Sequence, residues 1–407
     1  MMRTNLSKCA IFYWIAVFSC SNALAVDYGL SGFGTLGGAI SDHDTTYQHY
    51  IDDNGTLMRD SLVGVQLDAK FTDQWSATSQ VVLAAATDED NVLKPQLKWT
   101  LLSYRPTNDW LIRAGRLSLG GLLNQQNLEV GVTYDMARLP NEVYLLSSAY
   151  DFDGLSLVKT WSTTDYEITL DGTFGMQKRN YRLYANGSKK SEYVSGDVTG
   201  GGLVLTVTDY DQDMYRAGWS INQIEPDQGK FPNTFNFIPL GNGLYTLGRP
   251  DFSEKITATT LFLGARIPLG GFLITCEGTA VITKDVDTVP TTVGAYLNVS
   301  RKLGNWTPYI TYAQAWTDGL DTWRKVKGAT AVPQQGVTQT IIDDTASEMA
   351  VFDQNSWMLG TSYAFTPKQK IKAEVMLTHV GDRSAMFDGD IAHENVMVYS
   401  LSYNFSF

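Results

Sequence analysis

Apolar and polar residues alternate one by one along several segments of this 407-residue chain, and this alternation limits its possible folds more than any other feature. Between Ser61 and Phe71, every second residue from Val63 onward is apolar, while most residues between them are polar or glycine. A period of two places the two sets on opposite faces of a β-strand. The pattern recurs over 166–176 and 370–378, so we predict an all-β fold.

The first 25 residues are typical of a secretory signal. Arg3 and Lys8 give a positive start, residues 10–18 form an apolar run, and Ala23-Leu24-Ala25 matches a cleavage site. We therefore expect residues 1–25 to be removed, leaving a mature chain of residues 26–407. The apolar run is too short to span a bilayer, and no later stretch reaches about 20 apolar residues. A helical membrane protein is thereby excluded.

The cysteines and the net charge exclude further classes of protein. Cys9 and Cys20 lie in the predicted signal, so only Cys276 remains and no intrachain disulfide is expected. A lipid anchor on Cys20 is the alternative, but Phe18 departs from the lipoprotein pattern. The net charge of -12 argues against nucleic acid as a partner.

Short and long connections alternate between the predicted strands. The seven short ones are 71–75, 106–109, 162–165, 209–213, 268–271, 302–305 and 366–369. The eight long ones are 41–57, 87–93, 117–141, 177–199, 222–253, 284–289, 317–353 and 380–394. Together they imply about sixteen strands, with both termini on the side of the short turns.

The last predicted strand, 395–407, is apolar or aromatic at every second position and ends on Phe407. Other aromatic residues, including Trp75, Trp110 and Trp161, flank the short turns, as interfacial rings do in membrane barrels. A closed sheet pairs every backbone amide in hydrocarbon without leaving an edge. We therefore predict a transmembrane antiparallel β-barrel in the outer membrane of a Gram-negative bacterium, closed by pairing of this strand with 30–40. A soluble β-sandwich is the alternative.

Glycines cluster in the first predicted strand. Gly32, Gly34, Gly37 and Gly38 superficially resemble a phosphate-binding loop, but no helix and no suitably placed lysine follow them. We predict that they permit curvature or a close approach to the strand.

The stretch Trp110-Leu-Ile-Arg-Ala-Gly-Arg-Leu117, followed by Arg138-Leu-Pro-Asn-Glu142, resembles the Gram-negative porin superfamily. The resemblance covers the layout of the whole mature chain. It implies a trimeric barrel for passive diffusion of small hydrophilic solutes or ions, with no cofactor and no catalysis. It also implies that 117–141 folds into the barrel and narrows the pore. The Pro-Glu-Phe-Gly-Gly signature of general porins is missing, which indicates a divergent or solute-specific member.

The same resemblance implies partners for assembly. These are the barrel-assembly machinery, for which Phe407 would be the signal, and outer-membrane lipid with lipopolysaccharide.

Candidate site residues follow from the loop and from the alternation. In 117–141, Glu129, Asp135 and Arg138 are candidates for the pore constriction, where opposed charges would orient polar solutes; the alternative is an ordinary surface loop. Candidates for the pore wall share the polar parity of their strands: Asp68, Lys70, Lys98, Arg113, Glu167, Asp171, Arg216, Arg266, Glu277, Lys370, Lys372 and Glu374. Arg116 joins them, although it breaks the parity and is expected where its strand turns into the loop.

Acidic residues concentrate in the long connections, chiefly 42–53, 88–90, 343–348 and 382–390. These carboxylates are either solvated or bridged by divalent cations to lipid phosphates. None has the spacing of a calcium-binding loop, so no metal site is predicted.

Two other functions remain open. The long loops suit an adhesin or receptor. Lipid hydrolysis would use His379, which continues a lipid-facing parity, with Ser384 or Ser356 as the nearest nucleophile.

Overall fold

The computed structural model describes residues 26–118, 120–146, 151–184, 191–389 and 391–407. Within them, sixteen antiparallel strands form one closed barrel, in which consecutive strands pair and the last pairs with the first. The strands are β1 (Asp27–Ser41), β2 (Leu62–Lys70), β3 (Trp75–Ala85), β4 (Leu93–Thr107), β5 (Trp110–Ser118), β6 (Asp151–Ser162), β7 (Tyr166–Leu183), β8 (Glu192–Asp209), β9 (Met214–Pro226), β10 (Ile256–Leu269), β11 (Phe272–Thr283), β12 (Thr292–Ser300), β13 (Trp306–Thr317), β14 (Phe352–Thr366), β15 (Gln369–Ser384) and β16 (Asn395–Ser406). The predicted fold is confirmed; the predicted signal, 1–25, lies outside the described residues.

The connections follow the predicted pattern of short and long, with one difference. The predicted long connection 177–199 is wrong, because β7 and β8 stay paired from Tyr166↔Asp209 to Leu183↔Glu192. These strands are 18 residues each, longer than the roughly 9–11 residues that a bilayer requires. Beyond the hydrocarbon both faces meet water, so polar residues there do not mark the end of a strand.

The two faces of the barrel wall differ sharply in exposure. Leu263 is 67% exposed beside Phe262 at 2%, and Leu359 is 66% exposed beside Met358 at 2%. Soluble proteins rarely expose a continuous apolar surface, whereas an apolar outer band is what a membrane barrel presents to lipid. No helix of the described residues is long and apolar enough to cross a membrane.

The interior of the barrel is partly filled by a hydrophobic cluster. Three connections contribute to it: the first loop (42–61) through Tyr47 and Ile51, the inner loop between β5 and β6 through Leu122, and the last loop (385–394) through Phe387. Inward residues of the wall complete the cluster. The lumen is therefore narrower than the strand number alone implies.

A separate hydrophobic cluster lies in the connections on the other side of the barrel mouth. The hairpin Phe237–Gly241 with Leu244–Leu247 precedes β10, and the helices α2 (Leu320–Lys327) and α3 (Gln339–Glu348) precede β14. Leu247, Trp323, Val326 and Ile342 pack together between them. Two sequence-distant loops thus form one packed unit.

Barrel closure depends on glycines in β1. The strand pairs with β16 from Phe33↔Ser406 to Ser41↔Val398. Beyond this register, Phe407 N donates to Gly32 O at 2.9 Å. A Cβ atom at residue 32 would lie 2.3 Å from Cζ of Phe407, and one at residue 34 would lie 2.7 Å from Cζ of Phe405. The prediction that these glycines permit a close approach is confirmed.

We expect Gly32→Ala to lower the stability of the closed barrel by about 1–3 kcal/mol, because the Phe407 ring must shift to admit the methyl group. Gly29→Ala is the matched control, since its nearest neighbour would be Asp68 Cβ at an ordinary 3.9 Å. Urea titration of the refolded barrel, followed by gel mobility with and without heating, measures the difference. In Phe407→Ala, the added penalty of Gly32→Ala should vanish. Equal stability of the two glycine variants would contradict this account.

Candidate functional site

The inner loop folds into the barrel between β5 and β6, and its described part is 120–146. Its short helix α1 (Asn141–Tyr144) lies against β12 and β13. The loop main chain touches the wall directly: a Cβ at residue 131 would lie 1.9 Å from Asn404 Oδ1, and one at residue 294 would lie 1.8 Å from Glu142 O. Glycine at these two positions lets the loop lie flat on the wall.

Arg138 holds the inner loop to the first loop. Its Nη2 donates to Asp60 Oδ2 at 2.6 Å and its Nε donates to Asp60 Oδ1 at 3.2 Å. Nη2 also lies 3.3 Å from Ser400 Oγ on β16. The two-pronged geometry is the strongest form of this ion pair, and the side chains are only 9% and 15% exposed.

Asp135 and its neighbours hold the loop to β15. Asp135 Oδ1 accepts from Lys370 Nζ at 2.8 Å and from Ser362 Oγ at 2.7 Å. Lys372 Nζ donates to Met136 O at 2.9 Å and lies 3.9 Å from the centre of the Tyr134 ring. The two lysines that alternation places inward therefore serve the loop.

Three more carboxylates complete the anchoring. Glu129 pairs with Lys98 Nζ at 3.0 Å. Glu142 accepts from Gln354 Nε2 at 2.7 Å and from Ser356 Oγ. Glu277, on β11, accepts from Leu123 N at 2.5 Å and from the hydroxyls of Tyr144 and Tyr296, each at 2.6 Å.

Of the predicted constriction charges, Glu129 and Asp135 thus pair with lysines of the wall, and Arg138 pairs with Asp60 of the first loop. Of their partners, Lys370 is among the residues that alternation assigns to the wall, whereas Asp60 is not among the predicted site residues. The signal in the sequence is only that each charge has a partner of opposite sign elsewhere in the chain, and many other pairings satisfy that condition.

Asp60 and Asp135, two of the carboxylates that anchor the loop, have lowered pKa values. Burial raises the pKa of Asp60, but the charge and hydrogen bonds of Arg138 outweigh it and hold this pKa below its ordinary value of 3.8. In the same way, Lys370 outweighs the burial of Asp135 and lowers its pKa. A depressed carboxylate pKa stabilises the folded state above the unfolded pKa, and this stabilisation is lost as the pH falls through the folded value.

We expect Asp60→Asn to loosen the inner loop at neutral pH, because it leaves Arg138 buried without a counter-charge, a change that costs about 3–5 kcal/mol in buried pairs. Wild-type protein should show the same loosening only in acid, below pH 3.8, when Asp60 takes up a proton. Current noise of single molecules in a lipid bilayer, recorded from about pH 6 down to about pH 2, measures it. Asp53→Asn, at an exposed position of the same loop, is the control. Quiet currents in Asp60→Asn would refute the anchoring role.

The remaining wall candidates face inward, with one exception. Arg113 Nη2 donates to Ser156 Oγ and Asp171 Oδ2, each at 2.9 Å. Glu374 accepts from the Tyr309 hydroxyl at 2.8 Å. Glu167 is exposed near the start of β7. Arg216, on β9, donates through Nη1 to Leu122 O at 2.8 Å.

The assignment of Arg116 to the pore wall is wrong. Arg116 lies opposite Asp153, and the two side chains approach to 3.7 Å. Asp153 is 60% exposed and pairs in turn with Met176, which is 59% exposed on the outer face. The alternation of β5 continues to its end, so Arg116 follows the inward Gly115 and faces outward.

An ion-pair cluster ties together the loops at the barrel mouth. Arg182 Nη2 lies 2.7 Å from both Asp90 Oδ2 and Asp388 Oδ2, which joins β7 to the β3–β4 connection and to the last loop. The Tyr193 hydroxyl donates to Asp90 at 2.7 Å. Burial, together with the charges of Arg59 and Arg182, lowers the pKa of His49 to about 3. His49 is therefore neutral at physiological pH.

The first and last loops also contact each other directly. The rings of Tyr47 and Phe387 lie 4.6 Å apart, and Gln48 N donates to Met386 O at 3.0 Å. Asn141 Nδ2 donates to the Tyr47 hydroxyl at 2.9 Å, so the inner loop supports this pair from below. The two loops form a cover, named here the lid, over part of the lumen.

We expect Arg182→Gln to release the lid, because Asp90 and Asp388 then lose their shared cation in a site where the arginine is 4% exposed, at a cost of about 3–5 kcal/mol. The mean single-molecule conductance should rise. Lys178→Gln, four residues earlier on β7 and 62% exposed, removes the same charge and should leave the conductance unchanged. Equal conductance in both variants would show that the lid does not limit the current.

The residues considered for lipid hydrolysis do not come together. His379 faces outward, where its Nδ1 lies 2.9 Å from Asn395 Oδ1. Ser356 and Ser384 are buried on the opposite face, with 0% and 1% exposure. The sheet separates the base from both nucleophiles.

The acidic connections are not arranged as metal sites. Among the described residues, no group of three or more His, Cys, Asp or Glu side chains is placed to hold a metal ion. Several of the carboxylates pair with cations instead, such as Asp382 with Arg324 at 2.5 Å. Asp390, also in this set, lies outside the described residues.

The closed sixteen-stranded sheet, its apolar outer band and its inward loop define an outer-membrane β-barrel. Neither a family model nor a curated protein matches the chain. Solved structures do. The trimer form of Vibrio cholerae OmpT, an outer membrane protein, has a TM-score of 0.53 at 12% identity and covers 94% of this chain and 100% of its own. At these identities the likeness establishes a shared fold.

Two further similar structures are porins. Salmonella typhi OmpF, in complex with daunomycin, has a TM-score of 0.53 at 11% identity, covering 93% of this chain and 97% of its own. An anion-selective porin from Comamonas acidovorans has a TM-score of 0.51 at 12% identity, covering 94% and 100%. The fold agrees with that implied by the sequence resemblance, and it places this chain in the outer membrane as a multi-pass barrel.

Proposed function

We propose that this chain is a passive channel for small hydrophilic solutes or ions and carries out no covalent chemistry. The observation that carries the proposal is the inner loop, pinned inside the barrel by buried ion pairs such as Arg138–Asp60. A barrel of sixteen strands encloses a water-filled channel unless its interior is filled. A loop held firmly within the barrel limits the size of the solutes that pass. Because the loop is fixed, its own motion does not block the lumen.

In this proposal the predicted constriction residues act indirectly. Glu129, Asp135 and Arg138 fix the position of the loop, while Arg113, Asp171 and Arg216 line the path beside it. Residues 1–25 are removed on export, and Phe407 is the assembly signal read by the barrel-assembly machinery. The mature chain then resides among outer-membrane lipid and lipopolysaccharide.

The proposed assembly is a homotrimer. A trimer form of the structurally similar Vibrio cholerae OmpT supports this proposal.

A receptor or adhesin is the second candidate, and one observation favours it. The packed unit formed by the hairpin 237–247 and helices α2 and α3 exposes Ile238 at 46% and Leu244 at 55%. Exposed apolar side chains at a loop tip suit contact with another protein. This function requires no conductance, which separates it from the channel.

Reconstitution of purified wild-type protein in a planar lipid bilayer tests the channel. We expect stepwise current increments that are linear with voltage. Deletion of 120–146 should raise the conductance severalfold, because it removes the loop that narrows the lumen. A control deletion of 237–247, in the outer hairpin, should leave the conductance near that of wild type. Silent insertion of correctly folded protein would overturn the channel proposal and favour the receptor.

A further inference from the structure

Two arginines lie side by side on the inner wall beneath the tip of the inner loop. Arg216 on β9 is directly opposite Gly264 on β10, and Arg266 follows Gly264 by two residues on the same face. Diagonal neighbours of this kind lie about 7–8 Å apart. The glycine between them carries no side chain, and Leu123 of the inner loop packs over it, 3.1 Å from the position of a Cβ atom there.

These arginines differ from most of the other basic residues that face the lumen. Lys98, Arg113, Arg138 and Lys370 each have a carboxylate within 4 Å. In the part of the chain that the structure describes, no such ion pair includes Arg216 or Arg266. Two like charges at this spacing repel each other, and each gains from a mobile anion.

The contacts of the two arginines leave donors available. Arg216 donates through Nη1 to Leu122 O at 2.8 Å and through Nε to Thr206 Oγ1 at 3.0 Å. Arg266 donates through Nη2 to Asn124 Oδ1 at 3.2 Å. A guanidinium has five N–H donors, so each arginine keeps some of its N–H groups for a solute while the others brace the loop tip.

Two carboxylates lie near the pair, and both act electrostatically on Arg216. Glu277 lies opposite Gly264 on the other side, but it is 3% exposed and its oxygens accept the three hydrogen bonds from Leu123, Tyr144 and Tyr296. Asp171 is held by Arg113 and Ser156. The hydrogen bonds of both carboxylates therefore go to other groups, and the two arginines keep donors for a solute.

We propose that Arg216 and Arg266 form a binding subsite for small organic anions, with carboxylate-bearing solutes as the preferred class. The proposal rests on the proposed channel function and names the solutes that it favours. Planar guanidinium groups match the two oxygens of a carboxylate, and two arginines at diagonally neighbouring positions of a sheet suit a short dicarboxylate that spans them.

The test compares two double variants with the same loss of charge. Arg216→Gln with Arg266→Gln removes the subsite, while glutamine can still donate to Leu122 O and Asn124 Oδ1. Arg301→Gln with Lys302→Gln removes two charges from the exposed turn between β12 and β13. Reversal potentials are measured across a potassium chloride gradient. Chloride currents are then measured while succinate is added.

Wild type and the turn variant should prefer chloride to potassium, and succinate should reduce their chloride current in a saturable way. Both properties should be lost in the Arg216/Arg266 variant. If that variant inserts poorly, Arg266→Gln alone, which gives up the hydrogen bond to the Asn124 side chain, should weaken both properties in part.

Two results would overturn the subsite and leave the channel proposal intact. One is that the wild-type protein conducts without a preference for anions. The other is that the anion preference and the succinate block survive in the Arg216/Arg266 variant. Silent wild-type protein would overturn both.

Discussion

Every other feature of this molecule depends on one constraint, that backbone amides in hydrocarbon must all be paired. The chain meets it by closing its sheet: β1 pairs with β16, and no strand of the barrel is left as an edge. Closure then gives each residue of a strand one of two environments. Leu263 and Leu359 face lipid, while their neighbours Phe262 and Met358 face the interior. The alternation of apolar and polar residues in the sequence follows from these two environments.

The interior is governed by different physics. Charges there are shielded from lipid but also largely withdrawn from water, so each is stabilised mainly by a specific partner. Arg138 with Asp60, Asp135 with Lys370, and Arg182 with Asp90 and Asp388 are of this kind. Some of these ion pairs join a loop to the barrel wall, and others join one loop to another. The barrel supplies a rigid frame, and the ion pairs decide how much of its lumen stays open.

The sequence predicts the frame well because the frame follows local rules. Alternation and turn composition give the strand number, all seven short turns and the closing pair of strands. Two predictions made from these local rules are wrong. The connection 177–199 was misplaced because β7 and β8 extend into water, and Arg116 was assigned inward although its strand keeps its parity.

The interior contacts could not be predicted in this way. Nothing in the order of residues indicates that Arg138 meets Asp60 rather than another carboxylate, since the two are 78 residues apart and meet only in the folded barrel. Sequence reasoning found the charges and their loop. Their use as anchors emerges only from the packing of that loop on the wall.

The seam between the first and last strands has a consequence for folding. Gly32 and Gly34 leave gaps on β1 that the rings of Phe407 and Phe405 fill. Phe405 lies on β16 and Phe407 directly follows it, at the opposite end of the barrel sequence from β1. The first strand therefore lacks the complement for its outer face until the last strand has folded against it.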